Sequence, residues 1–377
     1  MKKVLVFIES LSRGGAEKVL SDIVSHLDKN KYEITISTVT DQGEYQPIVE
    51  KFCRYHSFLK MNDNCGNILK KFIFRVKTNL IYRLPVSWVY RWQIKEKYDV
   101  EIAFVEGFAT KLIASSPHNN SKKIAWVHTD MDKNPYADSC YKNVSSHIKA
   151  YQRYDSILCV SNSVKCAFEN KFFCSDKVHV QYNVIDTNTI EKKSKEKISC
   201  QPSSGIRLFS VGRLEEAKGF VRLVNMLGKL FQKGYHFSFW LLGEGSQRQQ
   251  IENIIDHYHM QDSVQLLGFQ PNPYKYISQC DAFVCSSYAE GFSSAATEAL
   301  ILGKPIFTTD CAGMQELFGD ENCGEIVPNT DEAFFDLLER LVSEKISLKS
   351  YSERLVCRKG FFDISRRIKE IEGILDE

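Results

Sequence analysis

Short, continuously apolar runs alternate with amphipathic stretches along the whole chain. Val4–Ile8, Glu33–Val39, Val100–Val105, Lys123–His128, Ser156–Val160 and Val178–Tyr182 form one series of predicted strands. Arg207–Val211, Phe237–Leu242, Val264–Leu267, Ala282–Ser286 and Pro305–Thr308 form a second. A strand that is apolar at successive positions, rather than at alternate ones, is covered on both faces, as in a parallel sheet between crossover helices. The pattern predicts an α/β protein with two doubly wound, Rossmann-like domains facing a cleft. Ligands of such sheets bind at the carboxyl ends of the strands. The expected boundaries are 1–187 for the first domain and 206–360 for the second. Residues 188–205, with Glu-Lys-Lys-Ser-Lys-Glu-Lys and then Pro-Ser-Ser-Gly, are polar and nearly free of core residues, and read as the linker between them.

Composition narrows the class. At 377 residues the chain is long enough for two or three cores. A net charge of +2 gives no argument for bulk nucleic-acid binding. The apolar runs are too short to cross a bilayer. The basic start Met1-Lys2-Lys3 is followed by an apolar run that ends at Glu9 with no cleavage-type site, so it reads as a strand and not a signal peptide. Twelve cysteines are scattered without a C-x-x-C pair. Cys159, Cys285 and Cys166 are expected as small buried hydrophobes in a reducing cytoplasm.

The candidate chemistry falls at strand ends. Glu290 and Glu298 are separated by Gly291-Phe292-Ser293-Ser294-Ala295-Ala296-Thr297. This places Glu290 on a strand-to-helix loop and Glu298 on the second turn of the helix. Backbone N–H groups from Gly291 to Ser294 then lie at the positive helix end, where an anion or sugar hydroxyl binds unobstructed. Gly212-Arg213-Leu214-Glu215-Glu216-Ala217-Lys218-Gly219 follows the first strand of the second domain. Alone it is a solvated basic loop. Beside the glutamate pair, Arg213 and Lys218 read as a phosphate clamp. Gly243-Glu244-Gly245 ends the next strand and serves either its turn or a close backbone approach to a nucleotide. Ser12-Arg13-Gly14-Gly15 opens the first helix of the first domain, with Gly14 and Gly15 leaving room for a sugar phosphate. His128 closes an apolar strand, where a structural role and a hydrogen bond to a sugar hydroxyl are both open. Asp130 and Asp132 spell D-x-D, but Arg213 and Lys218 already offer diphosphate neutralisation, so no metal is expected.

The stretch 68–97 carries Lys70, Lys71, Arg75, Lys77, Arg83, Arg91, Lys95 and Lys97 against the single acid Glu96, interleaved with Phe72, Phe74, Tyr82, Trp88, Tyr90 and Trp92. Helices of this kind lie on anionic bilayers. A packed helix with a solvated basic face, or single-stranded nucleic acid, fits the same composition. The bilayer agrees best with the other motifs, which favour no nucleic acid.

Together these residues resemble the glycosyltransferases of family 4, retaining enzymes with the two-domain GT-B fold. The resemblance is nearest to bacterial enzymes of capsule, exopolysaccharide or lipopolysaccharide biosynthesis. It runs from Lys3 to the C-terminal helices and rests most on the glutamate pair, Val211-Gly212-Arg213-Leu214 with Lys218-Gly219, and Gly14-Gly15-Ala16-Glu17. It implies an acceptor-binding first domain and a donor-binding second domain. It also implies a last helix, within 361–377, that crosses back onto the first. Arg213 and Lys218 would hold the donor diphosphate, with the Gly15 backbone. Glu290 and the amides after Gly291, from Phe292 to Ser294, would hold the sugar. Glu298 would bond the ribose and His128 would approach the reaction centre. The chain departs from the family at Asn183-Val184-Ile185-Asp186, which lacks the usual glycine.

The expected reaction moves a hexose-type sugar from a UDP- or GDP-sugar to a hydroxyl of a glycan acceptor that is lipid-linked, at the inner face of the cell membrane. No carboxylate is placed as a nucleophile, so same-face attack is the expected route to retention. A nucleotide-sugar epimerase and a non-catalytic nucleotide-sugar-binding scaffold are the competing readings.

Overall fold

The computed structural model describes residues 1–12, 14–61, 68–198, 205–321, 323–352 and 359–377. The chain divides into two compact units, Met1–Ile185 with Ser365–Glu377, and Asp186–Ile364.

The first unit is built on a parallel sheet of seven strands: β1 (Lys2–Phe7), β2 (Tyr32–Thr40), β3 (Arg54–Leu59), β4 (Val100–Ala103), β5 (Lys122–Val127), β6 (Ser156–Cys159) and β7 (Val178–Val180). Their spatial order is β3-β2-β1-β4-β5-β6-β7. The second carries β8 (Ile206–Val211), β9 (Phe237–Leu242), β10 (Val264–Gly268), β11 (Ala282–Cys285), β12 (Ile306–Thr309) and β13 (Gly324–Val327), in the order β10-β9-β8-β11-β12-β13. Every ladder is parallel, with registers such as Val4↔Ile34 and Val211↔Leu242. A parallel pair needs a crossover, and helices such as Gly15–His26 and Phe220–Gln232 supply it. In the latter, Phe220, Leu223, Val224, Leu227 and Leu230 recur at helical spacing and pack against Leu208, Phe239 and Leu241 of the sheet.

Two strands were not among those predicted, and both lie at sheet edges. β3 exposes Arg54 and His56, so its apolar signal is broken. β13 is four residues long and opens on a glycine. Edge strands need only one covered side, and their sequences show it. Of the segment read as a linker, residues 188–194 belong to the helix Thr187–Ser194, capped by Asp186 through the Thr189 N–H and anchored by buried Ile190. Residues 199–204 lie outside the described residues. Val184, which stands where the family glycine was missed, is buried two residues before the Asp186 cap. Cys159 and Cys285 are buried, whereas Cys166 is exposed. Its helix, Asn162–Phe172, buries Val164, Ala167, Phe168 and Phe172, which turns position 166 outward.

The last helix, Ile364–Asp376, buries Arg367, Ile368, Ile371 and Leu375 against the first unit. Its final carbonyls are met by ammonium groups: Lys2 Nζ donates to Leu375 O at 2.6 Å and Lys122 Nζ to Ile374 O at 2.8 Å. Cations at a helix carboxyl end offset its dipole and satisfy orphan carbonyls. The Tyr32 hydroxyl donates to Asp376 at 2.7 Å. Ile371→Ala is expected to cost about 2–4 kcal/mol, as a cavity in a packed core does. A urea midpoint equal to that of the parent would remove this helix from the core.

Candidate active site

In each sheet the strand order turns back once, between β1 and β4 and between β8 and β11. Adjacent crossovers leave on opposite faces there, and the parted loops at the carboxyl ends form the natural ligand crevice.

At the β8/β11 turn, the loop after β8 docks onto the loop after β11 through bonds to its backbone carbonyls. Tyr288 N–H donates to Ala217 O at 2.8 Å, and the Ser286 hydroxyl to Lys218 O at 2.9 Å. Gly219 makes this approach possible. It sits at φ 64°, and a Cβ there would stand 2.1 Å from Ser286 O. The docking delivers Lys218 to Glu290, whose two carboxylate oxygens accept from Nζ at 2.7 and 2.8 Å. The Ser287 hydroxyl donates to the same carboxylate at 2.6 Å. Burial works against the Lys218 ammonium, but the charge and hydrogen bonds of Glu290 outweigh it and hold its pKa above the ordinary lysine value.

The helix Ser294–Ile301 begins just beyond. Ser293 caps it by accepting from Ala296 N–H, and Thr297 N–H to Ser293 O is its first backbone bond. The amides of Ser294 and Ala295 precede that bond. Glu298 is buried on the second turn and accepts from the Tyr274 hydroxyl at 3.1 Å. Buried Phe292 lies beside Gly313, where a Cβ would stand 2.6 Å from Gly291 O. Arg213 is exposed, with its charge felt at both Lys218 and Glu215. Gly212 and Gly243 are in contact, a Cβ on Gly243 standing 1.9 Å from Gly212 O. The Glu244 side chain accepts from Arg248 at 2.6 Å, while its carbonyl accepts from Leu214 N–H at 2.9 Å. The structure therefore gathers Gly212, Arg213, Lys218, Gly243, Glu244, Glu290, Gly291, Phe292, Ser293, Ser294 and Glu298 in the second unit.

Sequence reasoning missed Arg222. This buried guanidinium donates to Ser286 O at 2.6 and 3.0 Å, to Ser287 O at 3.2 Å and to Asn329 Oδ1 at 2.7 Å. Asn329 in turn donates to Ser287 O and Tyr288 O. Together they shape the loop that carries Glu290. The available signal was an arginine among the apolar positions of the helix Phe220–Gln232.

Gly14, Gly15 and His128 lie in the first unit. Gly14 caps the helix that Gly15 opens, and Arg13 lies outside the described residues. His128 follows β5, its ring against Phe104 at 5.1 Å and Trp126 at 6.2 Å. Burial pushes its pKa down to about 4, against a hydrogen bond with the Phe104 backbone. Asp130 Oδ1 accepts from the amides of Asp132 and Lys133, both at 3.1 Å, which is a turn-forming role.

Two family models match. One described as Glycosyltransferase Family 4 spans residues 13–189, and one described as Glycosyl transferases group 1 spans 191–355. The chain belongs to glycosyltransferase family 4. Among curated relatives, an N-acetylgalactosamine-N,N'-diacetylbacillosaminyl-diphospho-undecaprenol 4-alpha-N-acetylgalactosaminyltransferase of Campylobacter jejuni is 28% identical over 371 residues, 96% of each chain. A putative colanic acid biosynthesis glycosyltransferase of Escherichia coli K12 is 28% identical over 138 residues, 34% of each. The solved structure of Anabaena Alr3699/HepE with UDP-glucose aligns over 100% of both chains, with a TM-score of 0.74 at 17% identity. It shares the GT-B fold. This glycosyltransferase thus has its family's parallel sheets and, at β8/β11, a charged loop pair.

Two outcomes follow. Arg222→Met removes both guanidinium bonds from the Ser286 carbonyl, while Ser287 O keeps its bonds from Asn329 and Thr309, and is expected to cost about 2–4 kcal/mol of stability. Parent-like unfolding would show the clamp to be dispensable. His128 concerns pH. Below pH 6.5 the unfolded chain takes up a proton that the native chain refuses until about pH 4. Acidification through that window therefore lowers stability, by at most about 1.4 kcal/mol per pH unit. The urea midpoint of the parent is expected to fall relative to that of His128→Gln between pH 6.5 and 4. A constant difference would contradict the burial of the imidazole.

Proposed function

We propose that this glycosyltransferase moves a hexose-type sugar from a UDP- or GDP-sugar to a hydroxyl of a lipid-linked glycan, with retention and without a metal, in cell-surface polysaccharide synthesis. The observation that carries the reading is the Lys218–Glu290 contact at the β8/β11 turn. It sets a cation and a carboxylate side by side, next to helix amides that have no earlier carbonyl to bond.

In this reading the second unit holds the donor. Lys218 and exposed Arg213 face the diphosphate, and negative charge that grows on the leaving phosphate is met by fixed cations and amide dipoles. Glu290 accepts sugar hydroxyls while its charge is balanced by Lys218. Glu298 takes the ribose hydroxyls, oriented by Tyr274. Gly212 and Gly243 keep side chains away from the nucleotide. The carboxylates of these motifs are engaged with Lys218 and Tyr274, which supports same-face attack, with the departing phosphate taking the acceptor's proton. Engagement of Asp130 in its own turn supports diphosphate neutralisation by Arg213 and Lys218 instead of an ion. The first unit, with Gly14, Gly15 and His128, serves the acceptor, with His128 at the reaction centre.

The acceptor class follows the Campylobacter jejuni relative, whose name specifies a diphospho-undecaprenol-linked substrate. A surface suited to such a lipid supports it. The helices Ile68–Arg83 and Val86–Gln93 expose Phe72, Val76, Leu80, Trp88 and Trp92. Lys70, Lys71, Arg75, Lys77, Arg83 and Arg91 are exposed among them. Tyr90 does not join that face: it is fully buried and donates to Glu101 at 2.9 Å. Among the described residues no helix is long and apolar enough to cross a membrane. Peripheral contact with an anionic inner leaflet, at about 1 kcal/mol per basic residue near the surface, fits this composition.

Turnover with labelled UDP- and GDP-sugars and a polyprenyl-diphosphate glycan tests the reaction. Arg213→Ala and Lys218→Ala are each expected to lower kcat on the order of a hundredfold. Near-parental turnover in both would refute the clamp, and donor conversion without acceptor would favour the epimerase. Exchange of both Trp88 and Trp92 for Ser is expected to weaken binding to phosphatidylglycerol vesicles about tenfold or more. Equal binding of the parent to uncharged phosphatidylcholine vesicles would remove the electrostatic part.

A further inference from the structure

The order of the first sheet turns back between β1 and β4, and the residue that follows the β4 end by three positions is Glu106. Its carboxylate is buried in the protein interior. Such a group is expensive to hold unless its oxygens are well satisfied. Here they are. Oε1 accepts from two successive backbone amides, His128 and Thr129, both at 2.7 Å, and Oε2 accepts from the Tyr136 hydroxyl at 3.0 Å.

The two amides belong to the turn that follows β5, immediately beyond its ladder with β6, which ends at Val127↔Cys159. At that point the parallel ladder no longer supplies partners for successive N–H groups. One carboxylate oxygen receives both, which pins the φ and ψ of residue 128 and with them the direction of its Cα–Cβ bond. Phe104 and Trp126 then clamp the ring from the sides. The His128 Nε2 atom is buried with no hydrogen-bond partner among the described residues. An imidazole held this firmly, with one nitrogen left over, is arranged for a partner outside its own fold.

We infer that Glu106 is the positioning residue for His128: it fixes the orientation of the imidazole by holding the backbone of the β5 turn. The inference rests on the proposed role of His128 at the reaction centre. Glu106 touches neither donor nor acceptor in this account. Its effect passes entirely through the turn.

A double-mutant cycle tests it, with turnover measured for the parent, Glu106→Ala, His128→Ala and the double variant. Glu106→Ala is expected to lower kcat on the order of thirtyfold, as small misplacements of a reacting geometry do, with the donor KM changed less than about threefold. In the His128→Ala background the same change is expected to cost less than about twofold. Glu106→Gln, whose amide oxygen still accepts both N–H groups, is expected to restore most of kcat. Deuterium uptake by the backbone at 128–129 should rise in Glu106→Ala and stay near the parental level in Glu106→Gln. Should the alanine variant fail to fold, Glu106→Asp, one methylene too short to reach both amides, replaces it in the cycle with the same expected coupling. Equal losses in the two backgrounds, or a Gln variant as poor as the Ala variant, would overturn the inference alone. Parental turnover in His128→Ala would instead remove the reading on which it rests.

Discussion

A parallel strand leaves its last amides and carbonyls at the carboxyl end without a ladder, and the points where the strand order reverses are where neighbouring loops part. Much of the local chemistry of this chain follows from that constraint. At β8/β11 the gap is lined by the Lys218 loop and the Glu290 loop, locked to each other by backbone bonds that only a glycine at 219 allows. At β1/β4 it is flanked by the loop of Gly14 and Gly15 and by Glu106, whose carboxylate replaces the missing ladder for the neighbouring β5 turn. The sheets do not merely support these loops. Their topology determines which loops can carry ligand chemistry at all.

The Lys218–Glu290 pair shows how charge is held there. A carboxylate this buried would be costly alone, and the ammonium, with the Ser287 hydroxyl, makes it tolerable. The same pairing leaves a preformed cation and acceptor at fixed spacing, which in the proposed donor site would keep reorganisation small when a diphosphate and a sugar arrive. Arg222 stands behind this arrangement. Its guanidinium gathers carbonyls from a tight loop that has no ladder partners for them, and its ring contact with Tyr288, at 3.9 Å, covers its other face.

Much of the fold was legible because parallel central strands announce themselves as unbroken apolar runs. β3 and β13 were not, since a strand covered on one side need not be apolar throughout, and Arg54 and Gly324 break the signal. Glu290, Glu298 and the Gly212–Gly219 loop were legible as motifs because their spacing is local. That Lys218 and Glu290 meet is a matter of tertiary register, 72 residues apart, and no local pattern encodes it. Arg222 and Glu106 were missed for a related reason. Each is a lone charged residue in an apolar setting, and only the partners brought by the fold reveal its use. The basic-aromatic stretch 68–97 was legible in composition, but not in orientation: Tyr90 turns inward to Glu101 while Trp88 and Trp92 turn outward.

The central claim is that the second unit binds a nucleotide diphosphate through Lys218 and its neighbours without a metal. The most direct test is the thermal shift of the intact protein with UDP, GDP and ADP, each in EDTA and in magnesium, for the parent and for Lys218→Ala. The account predicts that one nucleotide stabilises the parent equally in both media. At a hundred times its dissociation constant the gain is about 2.7 kcal/mol, and most of it is lost in Lys218→Ala. A shift that appears only with magnesium, or one that Lys218→Ala retains in full, would contradict it.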